Sequence, residues 1–288
     1  MKEKIKSILA DFVYWLYEKG ILKNRIHVMS MDETIDALLM GDKSIVRFGD
    51  SDIVMMCGRE TIVQDRAPEL GEKIVRLLRC ERENLLVGIP DVFEGVSQYT
   101  QKSQRFWKNH LLIFRHVYVK NCVPGYPYCN AFLSRMYYNY ADKSLCGPWI
   151  ARFRRVWDGK RLVVVEGAGT HNGVGNDLLD NAAGVQRIIC PPTNAWQVYE
   201  RILDACLEME KDNLFLLSLG STAKALASDL VDRGYRVIDI GNLDMEYEWF
   251  LHGAEKKEKL VKHDVIGKEA NIAAGYEEYL KQIYRSVE

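Results

Sequence analysis

No two cysteines stand at CxxC spacing: the seven, at 57, 80, 122, 129, 146, 190 and 206, are odd in number and scattered. That excludes a zinc ribbon or a thioredoxin-type motif and argues against a disulfide framework, so reduced thiols in a cytoplasmic protein are expected. A zinc site built from His116, Cys122, Cys129 and Cys146 would have spacings that match no common finger. Excess charge is missing too, with 39 basic against 40 acidic residues and a formal net charge of -1. A nucleic-acid binder working through a broad positive field is therefore not expected. No apolar run is long enough to span a bilayer. Neither an internal repeat nor a low-complexity linker interrupts the chain. The first twenty residues do not read as a signal peptide, because Asp11 breaks the apolar run and no small-residue cleavage site follows.

What is present is core. Of the 288 residues, 48% are hydrophobic, enough for one large α/β domain. At the N-terminus Ile5, Ile8, Leu9, Phe12, Val13 and Leu16 share one helical face, and Gly20 stops the helix. The expectation is an amphipathic helix docked on the domain through that face. Trp15, Tyr14, Tyr17 and the nearby lysines support a second reading, peripheral membrane contact through residues 1–20. "SMDETIDALL" then opens with Ser30 and Glu33 in capping-box register.

Apolar strands are expected at Ser44–Phe48, at 84–91 and, less regularly, at 116–120, with a charged helix at Pro68–Arg79 between the first two. A stretch rich in Pro, Gly and Tyr follows, whose flat rings suit either loop packing or a stacked sugar. From Arg161 onward strands and helices alternate: a strand into "EGAG", a helix over 173–184, a strand at 185–192 and a helix over 195–210. A strand at 213–220, a helix from Ser221 and a strand at 235–241 complete the rhythm. Continuous apolar strands alternating with amphipathic helices mean a Rossmann-like, mostly parallel sheet with helices on both faces, class α/β, in a single domain. Ligands in such sheets bind beyond the carboxyl ends of strands.

Four places follow strands directly. In "RFGDSD", extended backbone would point Asp50 and Asp52 to one side. Two converging carboxylates repel unless a cation lies between them, and oxygen-only ligands suit Mn²⁺ or Mg²⁺. Arg47 could add an anion contact beside Gly49, while an acidic turn held by a salt bridge is the plainer alternative. In "VVVEGAGTHNGVGND", Glu166, Gly167, His171, Asn172, Gly173, Gly175, Asn176 and Asp177 lie on a glycine-rich turn whose backbone can approach a ligand. Such turns serve NAD, S-adenosylmethionine and nucleotide sugars alike. Gly220 and Ser221 open a helix that could hold a phosphate or simply be capped. In "NLDMEYEWF", Asp244, Glu246 and Glu248 complement a helix dipole or supply a general base.

In order, "SIVRFGDSD", "VWDGKRLVVVEGAGTHNGVGNDLLDNA", "RIICPPTNAW", "LLSLGSTAKALASDLVDRGYRVIDIG" and "NLDMEYEWFLHGA" resemble the GT-D-type glycosyltransferase family. The likeness covers residues 26–265, leaving 1–25 as the N-terminal helix and 266–288 as a helical tail. It implies a UDP-sugar donor, a divalent cation and transfer of a hexose, often glucose, to a glycan or glycoprotein acceptor. The family's Asp-x-Glu motif maps onto Asp50 and Asp52, the second carboxylate being one methylene shorter here. On this reading Asp50 and Asp52 hold the metal and Glu246 is the acceptor-side base. The glycine turn, Gly220, Ser221 and Asp244 flank the nucleotide. An NAD-dependent dehydrogenase, a methyltransferase or a non-catalytic nucleotide-sugar binder are the alternatives.

Overall fold

The computed structural model describes residues 2–24, 26–79, 81–264 and 274–288. The expected domain boundary at 265/266, like Cys80, lies outside the described residues. The chain begins with α1 (Lys2–Glu18), β1 (His27–Val28), α2 (Met31–Leu39), β2 (Ser44–Arg47), α3 (Asp50–Met56) and α4 (Pro68–Leu78). It continues through β3 (Leu85–Ile89), α5 (Gln101–Asn121), β4 (Pro127–Asn130), α6 (Cys146–Arg154), β5 (Arg161–Gly167) and β6 (Gly184–Cys190). Then come α7 (Tyr199–Leu207), β7 (Leu214–Ser218), α8 (Thr222–Asp232), β8 (Arg236–Asp239), α9 (Leu243–Leu251), α10 (Tyr276–Gln282) and β9 (Ile283–Ser286).

Among the described residues nine strands form one sheet in the order β1-β4-β3-β2-β8-β7-β5-β6-β9, and each ladder is parallel. The central strands are buried along their length because both faces are covered, which is why they read as unbroken apolar runs. Strand order reverses twice. From β2 the chain moves outward to β3 while β8 lies on the other side, and β5 sends it to β6 while β7 lies opposite. Both reversals open at the carboxyl edge, where all four sequence-marked places sit. The Ser30–Glu33 capping box forms as expected, Ser30 N–H donating to Glu33 at 2.8 Å and Glu33 N–H to Ser30 Oγ at 3.2 Å.

Five local expectations are overturned. Residues 116–120 belong to α5, not to a strand: buried Trp107, His110, Leu111, Val117 and Tyr118 recur at helical spacing. Residues 173–184 form turns rather than a helix, because Gly173 and Gly175 take positive φ of 71° and 75°. Asp50 and Asp52 are not extended but open α3, at its first and third positions, so their side chains diverge. Helix α1 docks through Ala10 and Tyr14, while Ile5, Ile8, Leu9 and Phe12 of the expected contact face are exposed. In the tail, α10 is followed by β9, which extends the sheet beside β6.

Candidate active site

At the edge of β2 and β8, ion pairs lock the first cluster. Arg47 donates its backbone N–H to Asp239 Oδ2 at 3.1 Å, its guanidinium to Asp239 Oδ1 at 2.8 Å and to the carbonyl of Ala131 at 3.0 Å, and a further bond to Ser134. Lys224, reaching back from α8, places Nζ 3.3 Å from Asp52, 3.4 Å from Asp239 and 3.1 Å from the carbonyl of Gly220. Burial pushes the Asp239 carboxyl up, but Arg47 and Lys224 overbalance it and hold it below the ordinary aspartate value. Asp52 Oδ2 also accepts Gly49 N–H at 2.7 Å, capping α3, and Oδ1 accepts the Ser221 hydroxyl at 2.6 Å. Both oxygens of Asp52 are therefore taken. Asp50, one turn edge away, is exposed and has no hydrogen-bond or ion-pair partner among the described residues.

Over this cluster runs the segment between α3 and α4. Gly220 (φ +53°) has room for no side chain beyond hydrogen without crowding Val63, whose Cγ2 lies 3.2 Å from where a Cβ would be. The segment is fastened by Asn194, which donates its N–H to Val63 at 2.8 Å and accepts Asp65 N–H at 2.7 Å. Beneath it Thr222 Oγ1 is buried without a partner at the first residue of α8.

The glycine-rich turn after β5 makes a second cluster. Glu166, fully buried, pairs with Arg187 at 2.6 Å and accepts both the backbone and side-chain N–H of Asn172 at 2.8 Å. Arg187 also bonds the carbonyl of Asn172 and the Gln282 side chain and lies over the Tyr279 ring, tying the tail to the turn. His171 holds the carbonyl of Lys262 at 2.7 Å; burial lowers its pKa, so the neutral ring is favoured. Gly173 N–H and Asn176 donate to Asp244, which also contacts Lys262 at 2.9 Å and His263 at 2.5 Å. Burial raises that carboxyl, yet His263 and Lys262 hold it at about 2. Asn176 reaches Glu248 too, and Asp177 accepts the Tyr247 hydroxyl at 2.5 Å. Close packing explains the glycines: a Cβ on Gly173 would lie 2.6 Å from Leu179, and one on Gly167 3.2 Å from Pro192. Gly175 abuts Ala274.

Glu246 belongs to neither cluster. It is buried at the foot of the tyrosine segment, accepting the backbone N–H groups of Tyr137 at 3.0 Å and Tyr138 at 2.7 Å, with Arg135 at 3.4 Å. That makes it a support for Tyr138, whose half-exposed ring faces the ammonium groups of Lys102, Lys143 and Lys257 at 4.9–5.9 Å. It is not placed as the acceptor-side base.

The structure thus brings Arg47, Gly49, Asp52, Gly220 and Ser221 together in one cluster and Glu166–Asp177 with Asp244 in another. The sequence reading missed Lys224, a lone lysine between alanines in the first turn of α8, which was the available signal. It also missed Asp91, two residues beyond β3 and so beside the β2 edge, where burial pushes the carboxyl up to about 6 despite bonds from Tyr99 and Gln98. A divalent cation fits this donor set only through Asp50: among the described residues no three His, Cys, Asp or Glu side chains converge to hold a metal.

A sequence profile described as the glycosyltransferase GT-D fold matches residues 45–267. Among curated proteins, a probable glycosyl transferase Gly of Streptococcus gordonii is 40% identical over 239 residues, which are 83% of this chain and 35% of that protein. Glycosyltransferase GlyD of Streptococcus pneumoniae serotype 4 is 37% identical over 264 residues, 89% of this chain and 32% of its own length. The chain spans about a third of each of these relatives. Among solved structures, a glycosyltransferase (DUF1792) from Streptococcus sanguinis superposes with a TM-score of 0.88 at 38% identity, covering 91% of this chain and all of that one. A domain of unknown function 1792 with a distinct glycosyltransferase fold gives 0.90 at 34% identity, covering 96% and 100%. The matching profile, the two relatives and the nine-stranded sheet agree: this chain belongs to the GT-D-fold glycosyltransferase family.

Proposed function

We propose that the chain transfers a hexose, glucose first among candidates, from a UDP-sugar to a glycan or glycoprotein acceptor with the help of Mn²⁺ or Mg²⁺. One observation carries the reading: Asp50 leaves an uncommitted carboxylate at the carboxyl edge of the central strand, while every other acidic group predicted there is already paired. Hard divalent ions in phosphate sites commonly take one or two protein carboxylates and complete their shell with water and substrate oxygens. Asp50 would hold the ion, which when bound supplies positive charge against a diphosphate leaving group.

The chain's own groups do the rest. Gly220 and Ser221 stand at the N-terminus of α8, where backbone amides favour a phosphate. Lys224 pairs with Asp52 and Asp239, and Arg47 with Asp239, so the strand ends under Asp50 are held in place. Tyr138, held up by Glu246, gives the acceptor a flat ring beside three ammonium groups. Asp91, with its pKa near 6, suits proton removal from an attacking hydroxyl near neutral pH. The free state of the described cysteines fits a cytoplasmic setting.

The test is a panel of nucleotide sugars with Mn²⁺ or Mg²⁺, run on the wild type and Asp50→Asn, with and without chelator. Turnover specific to UDP-sugars, abolished by chelator and cut at least about a hundredfold by the substitution, is expected. Turnover that resists chelator would remove the metal from the account, and none with any UDP-sugar would remove the donor.

A further inference from the structure

We infer that the outward face of α1 rests on an anionic lipid surface. The helix carries apolar residues on two opposite sides. One side docks: Ala10 and Tyr14 are buried, the Tyr14 hydroxyl donates to the carbonyl of Val92 at 2.8 Å, and the Tyr17 ring covers the Arg115 guanidinium at 3.6 Å. Asp11 is tied to Lys108 on α5 at 3.0 Å. These contacts settle the helix without using its larger apolar stripe.

That stripe, Ile5, Ile8, Leu9, Phe12 and Trp15, recurs at three- and four-residue steps and is 44–62% exposed. With Ile21 and Leu22 just beyond, residues 5–22 hold seven of the eighteen large hydrophobic side chains exposed among the described residues. Singly exposed apolar groups are ordinary on a protein surface; a continuous row on one helix marks something that covers it.

Charge selects what covers it. Residues 2–24 contain five lysines against Glu3, Asp11 and Glu18, and Asp11 is neutralised by Lys108. Lys4, Lys19 and Lys23 are exposed around the stripe. A second copy of the chain docking symmetrically would set two faces of the same net positive charge against each other, which is repulsive. An anionic bilayer meets both features, taking Phe12, Trp15 and the aliphatic side chains at the headgroup boundary and the ammonium groups at its charged surface. The helix has 17 residues, and no described helix is long and apolar enough to cross a membrane, so it lies in the surface plane.

The experiment is co-sedimentation of the full chain with vesicles of phosphatidylcholine containing phosphatidylglycerol, or of phosphatidylcholine alone, with light scattering in parallel. Binding to the anionic vesicles at least about tenfold tighter than to neutral ones, weakened by added salt, is expected. The exposed pair Phe12→Ser/Trp15→Ser should keep the wild-type melting temperature yet lose about tenfold or more in binding. Lys4→Glu/Lys19→Glu should erase the preference for anionic lipid. Trp15 fluorescence should be quenched by brominated lipid, a signal missing in Trp15→Phe. Retention that is equally low on both vesicles overturns the inference. A dimer in solution that Phe12→Ser/Trp15→Ser disperses, with no vesicle binding, overturns it as well and assigns the face to a second copy.

Discussion

Lys224 sets its ammonium 3.3 Å from the carboxylate of Asp52, so the chain itself supplies that carboxylate's counter-charge. The two carboxylates of the motif therefore have separate tasks. Asp50→Asn should lower Mn²⁺ affinity in an electron-spin-resonance titration and cut turnover at least about a hundredfold. Asp52→Asn should leave Mn²⁺ affinity within a few-fold but destabilise the fold by about 1–3 kcal/mol in urea, because Lys224 loses one of its two counter-charges. Equal loss of metal affinity in both variants would return the pair to a shared ion.

Gly241 has φ +44°, and a Cβ there would lie 2.2 Å from the Arg47 guanidinium. Gly241→Ala must push aside a group that Asp239, Ala131 and Ser134 hold, and it adds backbone strain at a left-handed position. We expect a loss of about 2 kcal/mol or more in denaturant unfolding. An unchanged midpoint would mean Arg47 is freer than its bonds to Asp239 and Ala131 imply.

Burial holds the proton on Asp91 up to about pH 6 in the folded chain, above the ordinary value of 3.8. The folded state thus binds this proton more tightly than the unfolded one. Its contribution favours folding at low pH and is lost as pH rises from about 4 through about 6. Asp91→Asn removes the cost of a buried charge and should stabilise the protein by about 2 kcal/mol at pH 7, with the gain vanishing below pH 4. If Asp91 takes the acceptor proton, the same variant loses turnover while gaining stability. Melting curves at pH 4 and 7 beside activity measurements separate the two effects.

How far the sequence carries depends on what kind of order a segment has. The strands β2, β3 and β5–β8 are legible because burial on both faces leaves only apolar residues, and the glycines after them are legible because close packing admits nothing larger. Segment 116–120 deceives because His116–Lys120 alternates like a strand while the wider window from Trp107 to Tyr118 repeats like a helix. The Asp50–Asp52 pair deceives for a different reason. Gly49 ends the strand and starts a helix at once, with Asp52 capping it, so a spacing of two means opposite sides rather than the same side. Nothing local in the sequence announces that Lys224, far along the chain, returns to Asp52, or that Lys262 and His263 close on Asp244.

Glu166 and Arg187 form a pair with almost no solvent contact, 2.6 Å apart at the glycine turn. Removing one partner leaves the other charge stranded in the core. Arg187→Met should cost roughly 3–5 kcal/mol and also release Gln282 and Tyr279, loosening α10 and β9. Hydrogen exchange should rise first over 276–286. A variant with wild-type protection there would show that the tail is held by β6 alone.

Glu246 offers the sharpest test of position against chemistry. Its carboxylate accepts two backbone N–H groups, those of Tyr137 and Tyr138, and an amide oxygen can accept both as well. Glu246→Gln should therefore keep the tyrosine segment in place and hold turnover within about tenfold of wild type. A general base replaced by an amide loses far more, typically a hundredfold or beyond. Glu246→Ala leaves both amides and Arg135 without a partner and should raise KM for the acceptor while lowering the melting temperature. Near-complete loss of kcat in the glutamine variant, with its melting temperature intact, would restore Glu246 as the base and displace Asp91 from that role.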